Sequence, residues 1–357
     1  MSISADNINP HPRLIEHLVG KKVFSKSPLV VIDVGARGGA GKEWKVFGDQ
    51  YKVIGFEADP TECERLNQAA PNHERYYPAA LWSKKGKRKF YIHGRHAPTS
   101  SFYDSDSEYL SRFPGWEPWM PHRTVTLNTT DFASFLKENR IRELDVMKLD
   151  VEGSELEVLR GLGAKAWNEL VAVSLEAYFQ SWGKGMPTFS EIDALMRKKG
   201  FVLYDLPTFR WERRPTSPYM FTDGIFGPTD RGQVIFTQAL YVRDAAAELK
   251  DARRRKFWTS DKVLKLAAVM ELFRFEDSAM ELIQEAASKG LLKGHDLDTM
   301  LDLLTPDIDG RQVSYKNFVE HIRREGPPRY IQGRRVSQTD YAKHLEEKAK
   351  KEKEKRA

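Results

Sequence analysis

From Leu29 to Val242, short apolar runs rich in β-branched residues alternate with segments whose apolar residues recur at helical spacing. The runs fall at Leu29–Val34, Lys52–Glu57, Tyr76–Ala80, Val146–Leu149, Leu170–Leu175, Phe201–Asp205 and Gln233–Val242. Two intervening helices have readable ends. Thr61–Ala69 follows Asp59-Pro60, and Ser190–Lys199 opens on a serine that can cap it and stops before Gly200. Short connections between strand and helix predict an α/β fold: an open, mostly parallel sheet with helices on both faces. Residues 87–126 interrupt the rhythm with a hairpin pattern and a Pro/Trp-rich stretch, so they read as an insertion.

Beyond Arg243 the pattern becomes helical. Val263, Leu266, Ala267, Met270 and Phe273, then Met280, Ile283 and Ala286, keep helical spacing with no alternating strand run. The expected organisation is a helical lead-in over 1–27, the α/β domain over 28–244, a separate helical domain over 245–338 and a charged tail over 339–357. Within the helical part, Leu301–Phe318 resembles an EF-hand in outline, with Asp307 and Asp309 at ligand positions and Gly310 at the turn. Arg311 stands where a third acid is wanted, and Asn317 replaces the bidentate glutamate. The expectation is a degenerate, metal-free helix pair serving packing or self-association of the chain.

The formal charge is +6, but Lys343–Ala357 hold seven Lys/Arg against four Glu, so half the excess sits in the tail. A nucleic-acid partner is therefore disfavoured, because such binding needs a basic footprint on the fold itself. The single cysteine, Cys63, excludes a disulfide framework and a cysteine-built metal cage. No basic segment followed by an apolar run opens the chain, and no apolar stretch approaches the length of a membrane span. A soluble, cytoplasmic protein is expected.

Val31–Gly39 reads VIDVGARGG, a buried strand that delivers Asp33 and then glycines at 35, 38 and 39 for a tight turn and close ligand approach. Twenty-two residues after Gly35 the next strand ends in Glu57, placed to accept bonds from ribose hydroxyls. Arg37 stands where a dinucleotide fold has its second glycine. That favours a nucleoside without a pyrophosphate, S-adenosylmethionine being the common one, and disfavours a nicotinamide enzyme. A second motif, Asp145–Glu155 (DVMKLDVEGSE), puts Asp150 at the carboxyl end of its strand, where ligands bind in open α/β sheets. Asp150, Glu152 and Glu155 crowd one turn, and Glu155 also suits the positive end of the helix that follows.

VIDVGARGG, FEADP (56–60) and KLDVEGSE (148–155) together resemble the FkbM family of S-adenosylmethionine-dependent methyltransferases. Smaller agreements are AALWS (79–83), TSSF (99–102) and VLRG (158–161). The resemblance spans about Pro28 to Asp244. It implies the class I methyltransferase fold, a Rossmann-like seven-stranded sheet whose last strand, Gln233–Val242, is antiparallel. It also implies O-methylation, often of sugars or natural-product hydroxyls. Cofactor contacts are expected from Asp33, Gly35, Ala36, Gly38, Glu57, Ala58, Asp59, Ala80 and Asp150.

An alcohol becomes a good nucleophile only when a base or a metal takes its proton. Asp150 can be that base, or it can share a divalent cation such as Mg²⁺ with Glu176. His93 and His96 are alternative bases. Acceptor contacts are expected from Trp116 and Trp119 in the FPGWEPWMP loop (113–121), from Ser100 and Ser101, from Tyr178 and Trp182, and from the 207–231 connection. The acceptor so implied is a small molecule or glycan. Base N-methylation is disfavoured, since LDVEGSE replaces the Asn/Asp-Pro-Pro-aromatic motif it needs. Ribose O-methylation of RNA, and a non-catalytic cofactor-binding module whose helical tail docks a partner, remain the alternatives.

Overall fold

The structure, a computed structural model, describes residues 7–93, 99–216, 232–326, 329–331, 334–336 and 338–356. In chain order the strands used below are β1 (Leu29–Val34), β2 (Tyr51–Phe56), β3 (Glu74–Tyr77), β4 (Ala80–Leu81), β5 (Gly86–His93), β6 (Pro121–Thr130), β7 (Val146–Leu149), β8 (Ala172–Tyr178), β9 (Phe201–Asp205), β10 (Thr208–Trp211) and β11 (Gln233–Arg243). The main sheet runs β3-β2-β1-β7-β8-β11, with β9 and β10 both pairing the outer edge of β11. Strands β3 to β8 in that order are parallel, and β11 is antiparallel to its neighbours on either side. This is the class I methyltransferase arrangement, with the reversed strand where the sequence predicts it.

β1 and β8 are buried along their whole length, as strands covered on both faces must be. The expected run Tyr76–Ala80 divides into β3 and β4. Pro78 falls between them, has no N–H for a central ladder, and lets the chain leave the main sheet. β4 then joins a small second sheet, β4-β6-β5, in which β5 and β6 pair antiparallel and frame the insertion.

The two faces of the main sheet differ in chemistry. Ile32, Val34, Met147, Leu149, Val173, Leu175, Ala177, Ala239 and Tyr241 alternate onto one face and share a core with Leu156, Leu159, Ile192 and Met196 of the flanking helices. The opposite face begins apolar, with Val31 beside Val146 and Val146 beside Ala172. One step toward the carboxyl ends it turns polar. Asp33 lies across from Lys148, Lys148 from Ser174, and then Gln238 from Glu176.

Helix starts follow capping chemistry. The Asp59 carboxylate accepts the Thr61 N–H at 3.0 Å ahead of helix Pro60–Ala69. The helix predicted from Ser190 begins earlier, as Phe189–Lys198. Thr188 is its cap, and Glu191 returns a bond to the Thr188 N–H at 2.9 Å.

The boundary expected at residue 244 lies elsewhere, because the chain divides into compact units at 1–291 and 292–357. Helices Ser260–Leu272 and Glu276–Ser288 belong to the first unit. Ser260–Leu272 is buried continuously from Val263, including Lys265 and Glu271. Lys265 Nζ donates to Asp145 Oδ2 at 2.8 Å, and the same oxygen accepts the Val30 N–H. Glu271 takes the Leu14 and Ile15 N–H groups, both at 2.8 Å, at the start of helix Arg13–Gly20 in the lead-in. These buried polar ties hold the helix to the α/β unit.

In the second unit, helices Leu297–Leu304 and Tyr315–Glu325 flank the turn resembling an EF-hand. There the Asp302 carboxylate accepts the Tyr315 N–H at 2.6 Å and Ser314 caps the second helix. A 19-residue helix, Gln338–Arg356, covers most of the charged tail. Among the described residues, no helix is long and apolar enough to cross a membrane.

Candidate active site

Gly35 closes the turn after β1 at φ +83°, and a Cβ there would lie 1.9 Å from the Asp150 carbonyl oxygen. Only glycine allows β1 and β7 to deliver their ends this close. The Gly35 and Ala36 N–H groups both donate to the Phe56 carbonyl, fixing the turn against the end of β2. Glu57 follows directly. Its Oε1 accepts the Asp59 N–H at 2.8 Å, and Arg37 stands 3.7 Å from it and 3.5 Å from Asp59. Burial pushes the Glu57 carboxyl above its usual range, with the Asp59 N–H and Arg37 opposing.

Lys148 projects from the middle of this polar face. Its Nζ lies 3.1 Å from Asp33 Oδ1 and 3.5 Å from Asp150 Oδ2, and it donates to the Gly35 carbonyl at 3.2 Å. Burial alone would lower the lysine, but the two carboxylates outweigh it and hold the ammonium charged. Asp33 is raised by burial against the pull of Lys148.

Beside this pair lies a group of acids. Ligating oxygens of Asp150, Glu152 and Glu176 fall within 4.8 Å of one another. The Tyr178 hydroxyl is 3.1 Å from both Glu152 Oε2 and Glu176 Oε2. One phenolic proton cannot serve two carboxylates, so the second contact calls for a proton on one of the acids. The electrostatics agree. Burial, then Asp150 and Glu155, push Glu152 up to about 8, and burial, then Glu152 and Asp150, raise Glu176 well above the carboxylate range. Glu155 is raised too, first by burial and then by Glu176, and its Oε1 accepts the Val151 N–H at 2.9 Å. Glu152 sits at φ +52°, a left-handed conformation uncommon for a glutamate and concentrated at functional turns. The Ser101 hydroxyl donates to the Glu152 carbonyl at 2.7 Å and steadies it.

Asp33, Glu57, Lys148, Asp150 and Glu152 edge a cavity of about 920 Å³. Of the expected cofactor contacts, Asp33, Gly35, Gly38, Glu57, Ala58, Asp59, Ala80 and Asp150 line it, whereas Ala36 is buried and does not. Glu176 is within reach of Asp150 and Glu152 without lining the cavity itself. Ser100 lines it, and so do Arg37, Lys148, Glu152, Ser174 and Gln238, none of which sequence reasoning had assigned a role. Lys148 interrupts an otherwise apolar strand, which was its only signal.

Several expected contacts lie away from this space. His93 is fully buried, with Nδ1 3.1 Å from Thr99 Oγ1 and Nε2 3.3 Å from Ser105 Oγ. Burial drives it down to about 4, which makes it a neutral ring, and it does not line the cavity. Trp182 is fully buried. Trp119 packs edge-on against Trp182 and Trp211, and Trp116 joins the same aromatic cluster. Trp116 and Trp119 are half-buried, and none of these three tryptophans lines the cavity. Ser101 and Tyr178 act through the acids, as described above. His96 and the 207–231 connection beyond residue 216 lie outside the described residues.

The model of the family described as "Methyltransferase FkbM domain" matches residues 33–203. Over these residues the chain matches an FkbM methyltransferase domain. The FkbM match begins at the acid of the glycine turn and runs through the KLDVEGSE turn into β9, and it marks the chain as an S-adenosylmethionine-dependent methyltransferase. Among solved structures, the magnesium protoporphyrin IX methyltransferase of Synechocystis PCC 6803 with bound S-adenosylmethionine is 11% identical, covers 66% of this chain and 80% of its own, and superposes with a TM-score of 0.30. The precorrin-6y C5,15-methyltransferase of Geobacter metallireducens GS-15 is 9% identical over 68% of this chain and 97% of its own, at 0.30. The StiE O-MT fragment 961–1257 is 11% identical over 73% and 80%, also at 0.30. The fold assignment rests on the strand order rather than on these likenesses. No curated protein matches the chain.

Proposed function

We propose that this enzyme transfers the methyl group of S-adenosylmethionine to a hydroxyl oxygen of a sugar, glycan or glycosylated small molecule. The observation that carries the reading is the acid group Asp150, Glu152 and Glu176 beside the glycine turn, which offers a proton acceptor to an alcohol. In this reading Glu57 takes the ribose hydroxyls, and the Gly35–Gly39 turn with Asp33 receives the methionine end. The acceptor oxygen attacks the methyl carbon in line with the carbon–sulfur bond. That bond breaks, S-adenosylhomocysteine leaves, and the hydroxyl proton passes to Asp150. Lys148 holds Asp33 and Asp150 in place without competing for the proton, because it stays charged.

A second reading is favoured by the same three acids: they can together hold a divalent cation, with the oxygen ligands that Mg²⁺ prefers. The cation would lower the acceptor's pKa there, and Tyr178 would orient Glu152 and Glu176.

Purified protein incubated with labelled S-adenosylmethionine and panels of glycosides, simple alcohols and RNA, read by mass spectrometry, tests the function. Label on an acceptor oxygen that disappears in Asp150→Asn is the expected result. Label on nitrogen or carbon overturns it, and transfer to RNA ribose alone would select that acceptor instead. Full activity after exhaustive chelation rules out the cation.

A further inference from the structure

Most buried polar atoms in folded proteins find a partner, so the exceptions ask for an explanation. Ser174 Oγ and Gln238 Nε2 have no hydrogen-bond partner among the described residues, although Ser174 is 3% and Gln238 4% exposed. Both side chains line the cavity. An alanine and a leucine would fill these places without leaving a polar atom unsatisfied. The hydroxyl and the amide therefore point to a ligand.

Their position in the sheet says which ligand. Glu57, Gly35 and Asp150 follow β2, β1 and β7, so the groups read as holding the cofactor lie on that side of the sheet. Ser174 and Gln238 stand on β8 and β11, the next strands beyond β7. A molecule resting on them meets Asp150 from the side opposite Glu57, which is where an acceptor has to approach. Gln238 pairs directly across from Glu176, one of the three clustered acids.

The chemistry narrows the class. A hydroxyl both donates and accepts, and Gln238 Nε2 donates, so oxygens bearing hydrogens satisfy both. Lys148 is already shared among Asp33, Asp150 and the Gly35 carbonyl. The Asp150 carboxylate, paired with Lys148 and clustered with Glu152 and Glu176, would repel an anionic group at this end. We propose that Ser174 and Gln238 bind the non-reacting hydroxyls of a neutral, polyhydroxylated acceptor, and so select substrates whose methylated oxygen has hydroxyl neighbours. This rests on the acceptor reading above.

Crystals of the wild-type enzyme with S-adenosylhomocysteine, transferred to glycerol as a polyol probe, give the direct test. Glycerol oxygens within hydrogen-bond distance of Ser174 Oγ and Gln238 Nε2 are expected, and they should be absent in the Ser174→Ala/Gln238→Leu variant. The homocysteine chain on these atoms, or glycerol only elsewhere, overturns the assignment. Calorimetry should find S-adenosylhomocysteine affinity in that variant within about twofold of wild type, whereas a loss of about tenfold, or 1.4 kcal/mol, assigns the pair to the cofactor and sinks the proposal. Glycerol on the pair in an enzyme that methylates no glycoside upholds the polar subsite and counts only against the broader reading.

Discussion

Lys148 Nζ lies 3.1 Å from Asp33 Oδ1, joining the middle of the KLDVEGSE strand to the acid of the glycine turn on the neighbouring strand. The two motifs, more than a hundred residues apart in sequence, thus meet through one charged contact as well as through the Gly35–Asp150 approach. The same ammonium lies 3.5 Å from Asp150 Oδ2.

Removing that cation should be costly. Lys148→Met leaves Asp33 and Asp150 without their shared counter-charge, and losing one partner of a buried pair costs about 3–5 kcal/mol. Because the lysine side chain keeps 23% exposure, a loss near the lower end, about 3 kcal/mol, is expected. Urea unfolding measures it. Adding Asp33→Asn to Lys148→Met should restore part of the loss, and no recovery would mean that the pair is not coupled.

Glu57→Ala should weaken S-adenosylmethionine binding by about 1.5–3 kcal/mol for each charged hydrogen bond lost. The fold should survive, since the Glu57 carboxylate sits at the cavity with the Asp59 N–H and Arg37 as its neighbours. Calorimetry reads the affinity, and an unchanged value would remove Glu57 from the ribose.

Asp150→Asn should reduce turnover by roughly 10²–10⁴-fold, the usual contribution of a positioned base. Cofactor affinity and melting temperature should change little by comparison. Wild-type turnover in a variant that still binds cofactor would place the proton acceptor elsewhere, with Glu152 the nearest candidate.

The acid group also predicts a pH dependence. Glu152 is raised from 4.5 to about 8 in the folded state, so folding takes up a proton between those values. With more protons bound folded than unfolded, this group's contribution to stability is full below about pH 4.5 and is lost as pH rises through about 8. The melting temperature of the ligand-free enzyme should therefore drop between pH 5 and 8, by an amount worth on the order of a few kcal/mol. Glu271, raised by burial to about 7, contributes with the same sign. Glu152→Gln should flatten the curve without abolishing it, and an identical slope would show that Glu152 titrates normally.

Calcium should leave the full chain's melting temperature unchanged. In the turn resembling an EF-hand, Asp302 is engaged with the Tyr315 N–H, and Asp309 and Gly310 occupy left-handed turn positions. A rise at micromolar calcium would restore the site as a ligand loop.

The central strands were legible because β-branched apolar runs such as Leu29–Ile32 leave few alternatives to a strand buried on both faces. The glycine turn was legible because φ near +83° with a backbone 1.9 Å from any added Cβ is a demand that sequence records as glycine. Cross-strand neighbours leave no such record. Ser174 and Gln238 are ordinary residues until pairing with Lys148 and Glu176 brings them to one face. Tryptophan in a proline-stiffened loop likewise reads as a ligand platform, although a ring's partner is set by tertiary packing, and here Trp119 finds Trp182 and Trp211. Helix Ser260–Leu272 was misjudged as part of a separate domain because spacing reports that a face is apolar, not what covers it.

The Lys265–Asp145 contact bears on how far this protein can be cut. Asp145 closes the amino end of β7, five residues before Asp150, and its charge is neutralised from helix Ser260–Leu272. Trimming the gene to the recognisable segment, 33–203, would discard that lysine together with the whole of β11, the strand that seals the edge of β8. An expression fragment should therefore extend at least to Leu291. The stretch that sequence comparison identifies is shorter than the stretch that must be inherited together for it to fold.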